Sequence, residues 1–228
     1  MTVAVGRRRA GPRVIAAALI VAVLVSLGGL ILWCEDVAYA ISQEDGLLEI
    51  VQVVLFGATG VLALSAAQSL RRTGRPAILE AVVAAVMVGL VIGEIDLDRQ
   101  LFGIKVIHTR FFVNAGIPIV VRALAALVVV GVPAALVIYV LVRRRALWNA
   151  VGSALREPWG QVLASGVLIF AAAELFEKPL AGLRFAPRNS LEEGLELAAA
   201  IAFFIGLVVR LRTLRVPPDR RRPSSEDR

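Results

Sequence analysis

Six apolar stretches, each close to the length of a bilayer crossing, are separated by groups of charges that alternate in sign along the chain. They lie near Val14 to Trp33, Leu47 to Leu70, Ala77 to Ile95, Ile117 to Val142, Gly160 to Phe176 and Gly194 to Val209. A helix needs about 20 residues to cross roughly 30 Å of hydrocarbon. Inside lipid the backbone must satisfy its own hydrogen bonds, which leaves the α-helix as the natural form for such stretches. Composition agrees: 58% of the 228 residues are hydrophobic and the mean hydropathy is +0.80, against an apolar fraction of about 45–50% in soluble domains. The expected fold is all-α, a polytopic membrane helix bundle of six transmembrane helices. Short connections leave no room for a sizeable soluble domain.

The charges give that bundle an orientation. Arg7, Arg8, Arg9 and Arg13 precede span one, Arg71, Arg72 and Arg75 join spans two and three, Arg143, Arg144, Arg145 and Arg156 join spans four and five, and seven arginines from Arg210 to Arg228 follow span six. If the spans alternate, these 18 of the 25 basic residues share one face with only five acids, about +13, and the opposite face carries about −6. Arginine-rich short loops stay cytoplasmic, so both termini are expected inside. The +7 net charge then needs no nucleic acid, because topology and anionic headgroups account for it. The organisation predicted is a basic cytoplasmic tail at 1–13, a six-helix transmembrane domain at 14–213 and a disordered basic cytoplasmic tail at 214–228. Ala38-Tyr39-Ala40 after the first apolar run imitates a signal-peptide site, but a run of about 20 residues exceeds the 7–15 of a signal core, so a retained span is expected. Cys34 stands alone, so no intrachain disulfide can form.

Within the spans, Arg71 to Pro76 predicts a tight turn between antiparallel neighbours, with Pro76 beginning the next helix. Glu80, in the first turn after it, reads as a partner of the positive helix terminus. Gly131 and Pro133 predict a kink in span four. Ala77, Ala81, Ala85, Gly89 and Gly93 on span three, and Gly194, Ala198, Ala202 and Gly206 on span six, recur every four residues. Each series reads as a smooth packing stripe of the kind that lets helices approach in lipid.

The candidate site is acidic and lies at the outer helix ends. Asp45 and Glu49 open span two with Gln52 one turn on, Glu94 and Asp98 leave span three, Glu174 and Glu177 leave span five, and Glu192, Glu193 and Glu196 enter span six. Residues three or four apart share a helix face. If these faces converge, the repulsion must be offset by a bound cation, by raised carboxylate pKa values, or by the outer bases Arg99, Arg110, Arg122, Lys178, Arg184 and Arg188. Glu49, Glu94, Asp98, Glu174 and Glu196 are the candidate metal ligands, and an all-oxygen set suits a divalent cation such as calcium, magnesium or manganese. His108 is the sole histidine, so a zinc site built from several imidazoles is excluded. The outer segment from Glu94 to Gly116 mixes charged and bulky apolar residues and is expected to rest on the interface as a helix or re-entrant stretch. No nucleophile elbow, Walker loop or dinucleotide fingerprint occurs.

The strings Glu44-Asp45-Gly46-Leu47-Leu48-Glu49, Gly93-Glu94-Ile95-Asp96-Leu97-Asp98 and Glu192-Glu193-Gly194-Leu195-Glu196 make the whole chain resemble small bacterial multi-pass membrane proteins of unassigned activity. That resemblance implies a bacterial inner (plasma) membrane location. Locally, Trp33-Cys34-Glu35-Asp36, with Tyr39 and Glu49, is similar to the acidic motif of alkaline ceramidases, which are seven-span metal-dependent amide hydrolases. Their zinc-binding histidines have no counterparts here. Three function classes follow. The leading one is a non-enzymatic interaction or assembly component, with the bilayer and either a membrane-protein partner or a second copy as its partners. The others are an interfacial metal-assisted lipid hydrolase or transferase, and a cation- or proton-coupled carrier.

Overall fold

The computed structural model describes residues 11–33, 46–95, 109–113, 116–177 and 188–215. The described residues are helical apart from short turns, and no strand occurs among them. Helices cover all six predicted stretches: α1 (Pro12–Trp33), α2 (Leu47–Arg72), α3 (Ile78–Glu94), the run from Ile119 to Val142, α8 (Pro158–Glu177) and α9 (Arg188–Arg215). Four of these, α2, Ile119–Val142, Pro158–Leu175 of α8 and Ser190–Arg215 of α9, are long and apolar enough to cross a membrane. The protein is therefore an all-helical membrane protein. Its helices fall into two compact units.

The first unit comprises residues up to Leu55 and from Ala154 onward. Its centre is an antiparallel pair, α8 against α9, with α1 laid against both. The small-residue stripe of span six is the seam. Ala198 and Ala202 are fully buried, and a methyl group added at Gly206 would stand 3.2 Å from the Trp159 carbonyl oxygen and 3.5 Å from the Leu163 Cβ. Across the seam a methyl at Gly166 would press on the Phe203 ring at 2.8 Å. Ile20 of α1 and Ile205 pack against Val162 and Ala202. Small residues bring the two backbones within contact distance, and dispersion supplies the association that lipid cannot.

The second unit runs from Phe56 to Ser153. There α2 turns into α3 through a Schellman motif: Gly74 takes φ 69°, its N–H donates to the Arg71 carbonyl, and the Arg75 N–H donates to the Leu70 carbonyl. Only glycine adopts that φ without strain, which explains the tight turn expected from the sequence. The new helix starts at Ile78 rather than at Pro76. The expected packing stripe of span three needs correction. Ala85, Gly89 and Gly93 are exposed, and the buried face of α3 is Ile78, Glu80, Ala84 and Met87, with Met87 beside Gly60 of α2. Larger side chains fill that contact, so spacing alone mislocated it.

Span four is three elements in one line: α5 (Ile119–Ala126), a π-helical turn (Leu127–Gly131) and α6 (Val132–Val142). Pro133 has no amide hydrogen to give, and the wider turn just before it is how the chain absorbs the missing bond. None of the three elements buries a residue. After it comes α7 (Arg144–Ala154), where the sequence suggested a plain connection. With Arg144 and Arg145 in its first turn and Trp148 exposed, α7 has the make-up of a helix lying at a membrane surface. Of the long outer segment, α4 (Thr109–Val113) is described. Phe111 is buried there, and the Arg122 guanidinium donates to the Phe112 carbonyl at 2.7 Å.

Candidate polar site at the helix heads

In the first unit the opening turns of α2 and α9 meet through one side chain. Gln52 is fully buried, and its Nε2 donates to the Glu193 carbonyl oxygen at 2.9 Å and to Glu193 Oε2 at 3.0 Å. Both acceptors lie on the same residue, which fixes which end of the amide is nitrogen. The other end, Gln52 Oε1, is buried with no donor. A buried carbonyl left unmatched costs about 1–3 kcal/mol. Glu49 precedes Gln52 by three residues and Glu196 follows Glu193 by three, so both carboxylates stand one turn from this contact on the faces that carry it. Ser190 is buried beside them in sequence, and Glu49, Glu192 and Glu196 are each half-buried and engaged in polar interactions.

Glu174 belongs to the same end of the first unit. The antiparallel register sets Gly166 beside Phe203, and eight residues on along α8 and eight back along α9 bring Glu174 level with Leu195. It too is half-buried. Glu177 ends α8. Glu94, by contrast, ends α3 in the second unit. Arg110 lies within α4 of that unit. Asp45 and Asp98 lie outside the described residues, as do His108 and the Cys34-Glu35-Asp36 string. Among the described residues no three His, Cys, Asp or Glu side chains are grouped so that they could hold a metal ion. The arrangement is an acceptor-rich contact between two helix heads, suited to hydrogen-bond donors.

Sequence reasoning missed a second polar assembly, at the opposite end of α8 and α9. Trp159 is 3% exposed; its indole N–H donates to Glu157 Oε2 at 2.8 Å, and the Arg210 guanidinium lies 4.4 Å from the ring centroid. Arg210 also approaches Glu157 Oε2 at 3.7 Å. Arg210 and Glu157 read in the sequence as topology charges. Only the register of α8 on α9, legible from the Gly206 and Gly166 contacts, would have brought them together. The assembly is a brace: cation over ring, ring to carboxylate, carboxylate to cation.

No protein-family model, curated protein or solved structure matches the chain.

Proposed function

We propose that this chain is a non-enzymatic interaction or assembly component of a bacterial inner membrane, with six spans and both termini cytoplasmic. The heads of α2 and α9 receive a basic group of its partner, a lysine ammonium. The observation that carries this reading is Gln52 Oε1, a buried acceptor with no donor, set beside Glu193. Carboxylates and an amide oxygen are acceptors only, so the missing complement is a donor, and next to several acids that donor is favoured when cationic. A charge at membrane depth turns inward and finds a partner, and the reading names that partner's chemistry.

Zero-length carbodiimide coupling in intact membranes tests it, because this reagent joins a carboxylate only to an amine in contact with it. The wild-type chain is expected to form a defined adduct with a protein amine, and Gln52→Leu and Glu193→Gln are expected to lose it while keeping their melting temperatures. An adduct of unchanged yield in both variants would overturn the reading. The orientation has its own check. Reporter fusions at Arg71 to Arg75 are expected to report the cytoplasm, and a periplasmic signal there would reverse the topology and the side on which the partner docks.

A further inference from the structure

The second unit contains a groove between α2 and α3 that the polar site does not involve. Its volume is about 380 Å³, and its walls include Val61, Leu64, Ser65, Gln68 and Arg71 of α2 and Ala81 of α3. The α2 residues lie at helical spacing on one face, apolar at Val61 and Leu64 and progressively polar towards the end of the helix at Arg71. Ten residues of helix rise about 15 Å, which is half of a hydrocarbon core of roughly 30 Å. The groove therefore has the length of one lipid leaflet, with its polar end at the helix terminus and its apolar end near mid-membrane.

The polar end is cationic. Arg71 lines it and is exposed, Gln68 adds an exposed amide, and Arg72 and Arg75, next along the chain, are exposed as well. Glu80, the nearest acid in sequence, is 3% exposed on the packed face of α3. Ser65 donates its hydroxyl hydrogen to the Val61 carbonyl, so it contributes an acceptor edge and no donor to the groove. The small Ala81 side chain of the span-three stripe forms the far wall. That assigns one member of the stripe to a slot rather than to a helix contact.

We propose that this groove binds an anionic phospholipid, with Arg71 and Gln68 meeting the phosphate-bearing headgroup and one acyl chain lying along Leu64, Val61 and Ala81. Guanidinium donors match phosphate oxygens in pairs, and a basic residue near an anionic surface strengthens lipid attachment about fivefold.

Native mass spectrometry of the full chain, delipidated in neutral detergent and titrated with phosphatidylglycerol or phosphatidylcholine of matched chains, tests this. Arg71→Gln is expected to weaken phosphatidylglycerol binding about fivefold and phosphatidylcholine, whose choline cation offsets the phosphate charge, by less. Arg144→Gln, on α7, is expected to weaken phosphatidylglycerol binding by less than Arg71→Gln does and to leave phosphatidylcholine unchanged. Ala81→Phe, which fills the slot, is expected to weaken both lipids. Millimolar inorganic phosphate is expected not to displace bound lipid. Unaltered phosphatidylglycerol binding in Arg71→Gln or in Ala81→Phe would overturn the proposal, and displacement by inorganic phosphate would make the site one for a free anion. Circular dichroism and melting temperature confirm that each variant is folded.

Discussion

Two membrane-length helices of this chain meet opposite fates. In α9, 50% of the apolar window is buried, whereas in the helix from Ile119 to Val142 none is, although the second is the more apolar by sequence. Hydropathy decides that both leave water; it does not decide what they touch. In lipid a leucine gains nothing by exchanging acyl chains for another leucine, so contact goes to the helix whose surface lets a neighbour come close. The alanines and glycines of α9 form such a surface against Gly166 and Trp159. Ile119–Val142 presents Leu124, Leu127, Val128 and Val130 outward and stays bare.

The sharpest way to break this contrast is to damage the seam. Phe203 is 5% exposed and sits over Gly166, so Phe203→Ala is expected to destabilise by about 3–5 kcal/mol, read as a fall in unfolding midpoint in mixed micelles. A change below about 1 kcal/mol would mean that α8 and α9 are held by something other than their shared surface. Next in size is the brace at the other end of the pair. Arg210→Met is expected to lose about 2 kcal/mol and to change the Trp159 near-ultraviolet circular dichroism signal, with Arg210→Lys intermediate. An unchanged spectrum in Arg210→Met would disprove the cation–ring contact.

Gln52→Leu divides stability from recognition. It removes two hydrogen bonds to Glu193 but also an unmatched buried oxygen, so the expected net change is within about 1 kcal/mol, with the partner adduct lost. A large destabilisation would show that Gln52 acts as a structural pin. The smallest effect belongs to the bare helix: Leu124→Ala and Val128→Ala are each expected to stay within about 0.5 kcal/mol. A drop as large as that of Phe203→Ala would reveal a protein neighbour on this face and abolish the comparison.

What the sequence made legible follows from which terms are local. Hydrophobic length and proline or glycine punctuation act within one helix, so all six helices stand where the apolar stretches are, Gly74 makes the predicted turn, and Pro133 disturbs the predicted span. Packing is not local. The four-residue spacing looked alike on spans three and six, yet only span six uses it as a seam, because the partner of span three offers Gly60 to the larger Met87. The candidate site was half legible. Glu49, Glu193 and Glu196 could be read from their places at helix starts, but Gln52, the residue that ties the two starts together, passed as a minor neighbour. A neutral amide carries no charge to draw the eye, and its importance arises from complete burial.

The π turn of span four has an arithmetic of its own. From Leu127 to Pro133 the backbone owns one amide hydrogen fewer than it owns carbonyls, because proline supplies none. Away from water no solvent makes up the shortfall, so the widened turn is where this helix carries a carbonyl without its own amide partner, a weak rung in an otherwise continuous ladder.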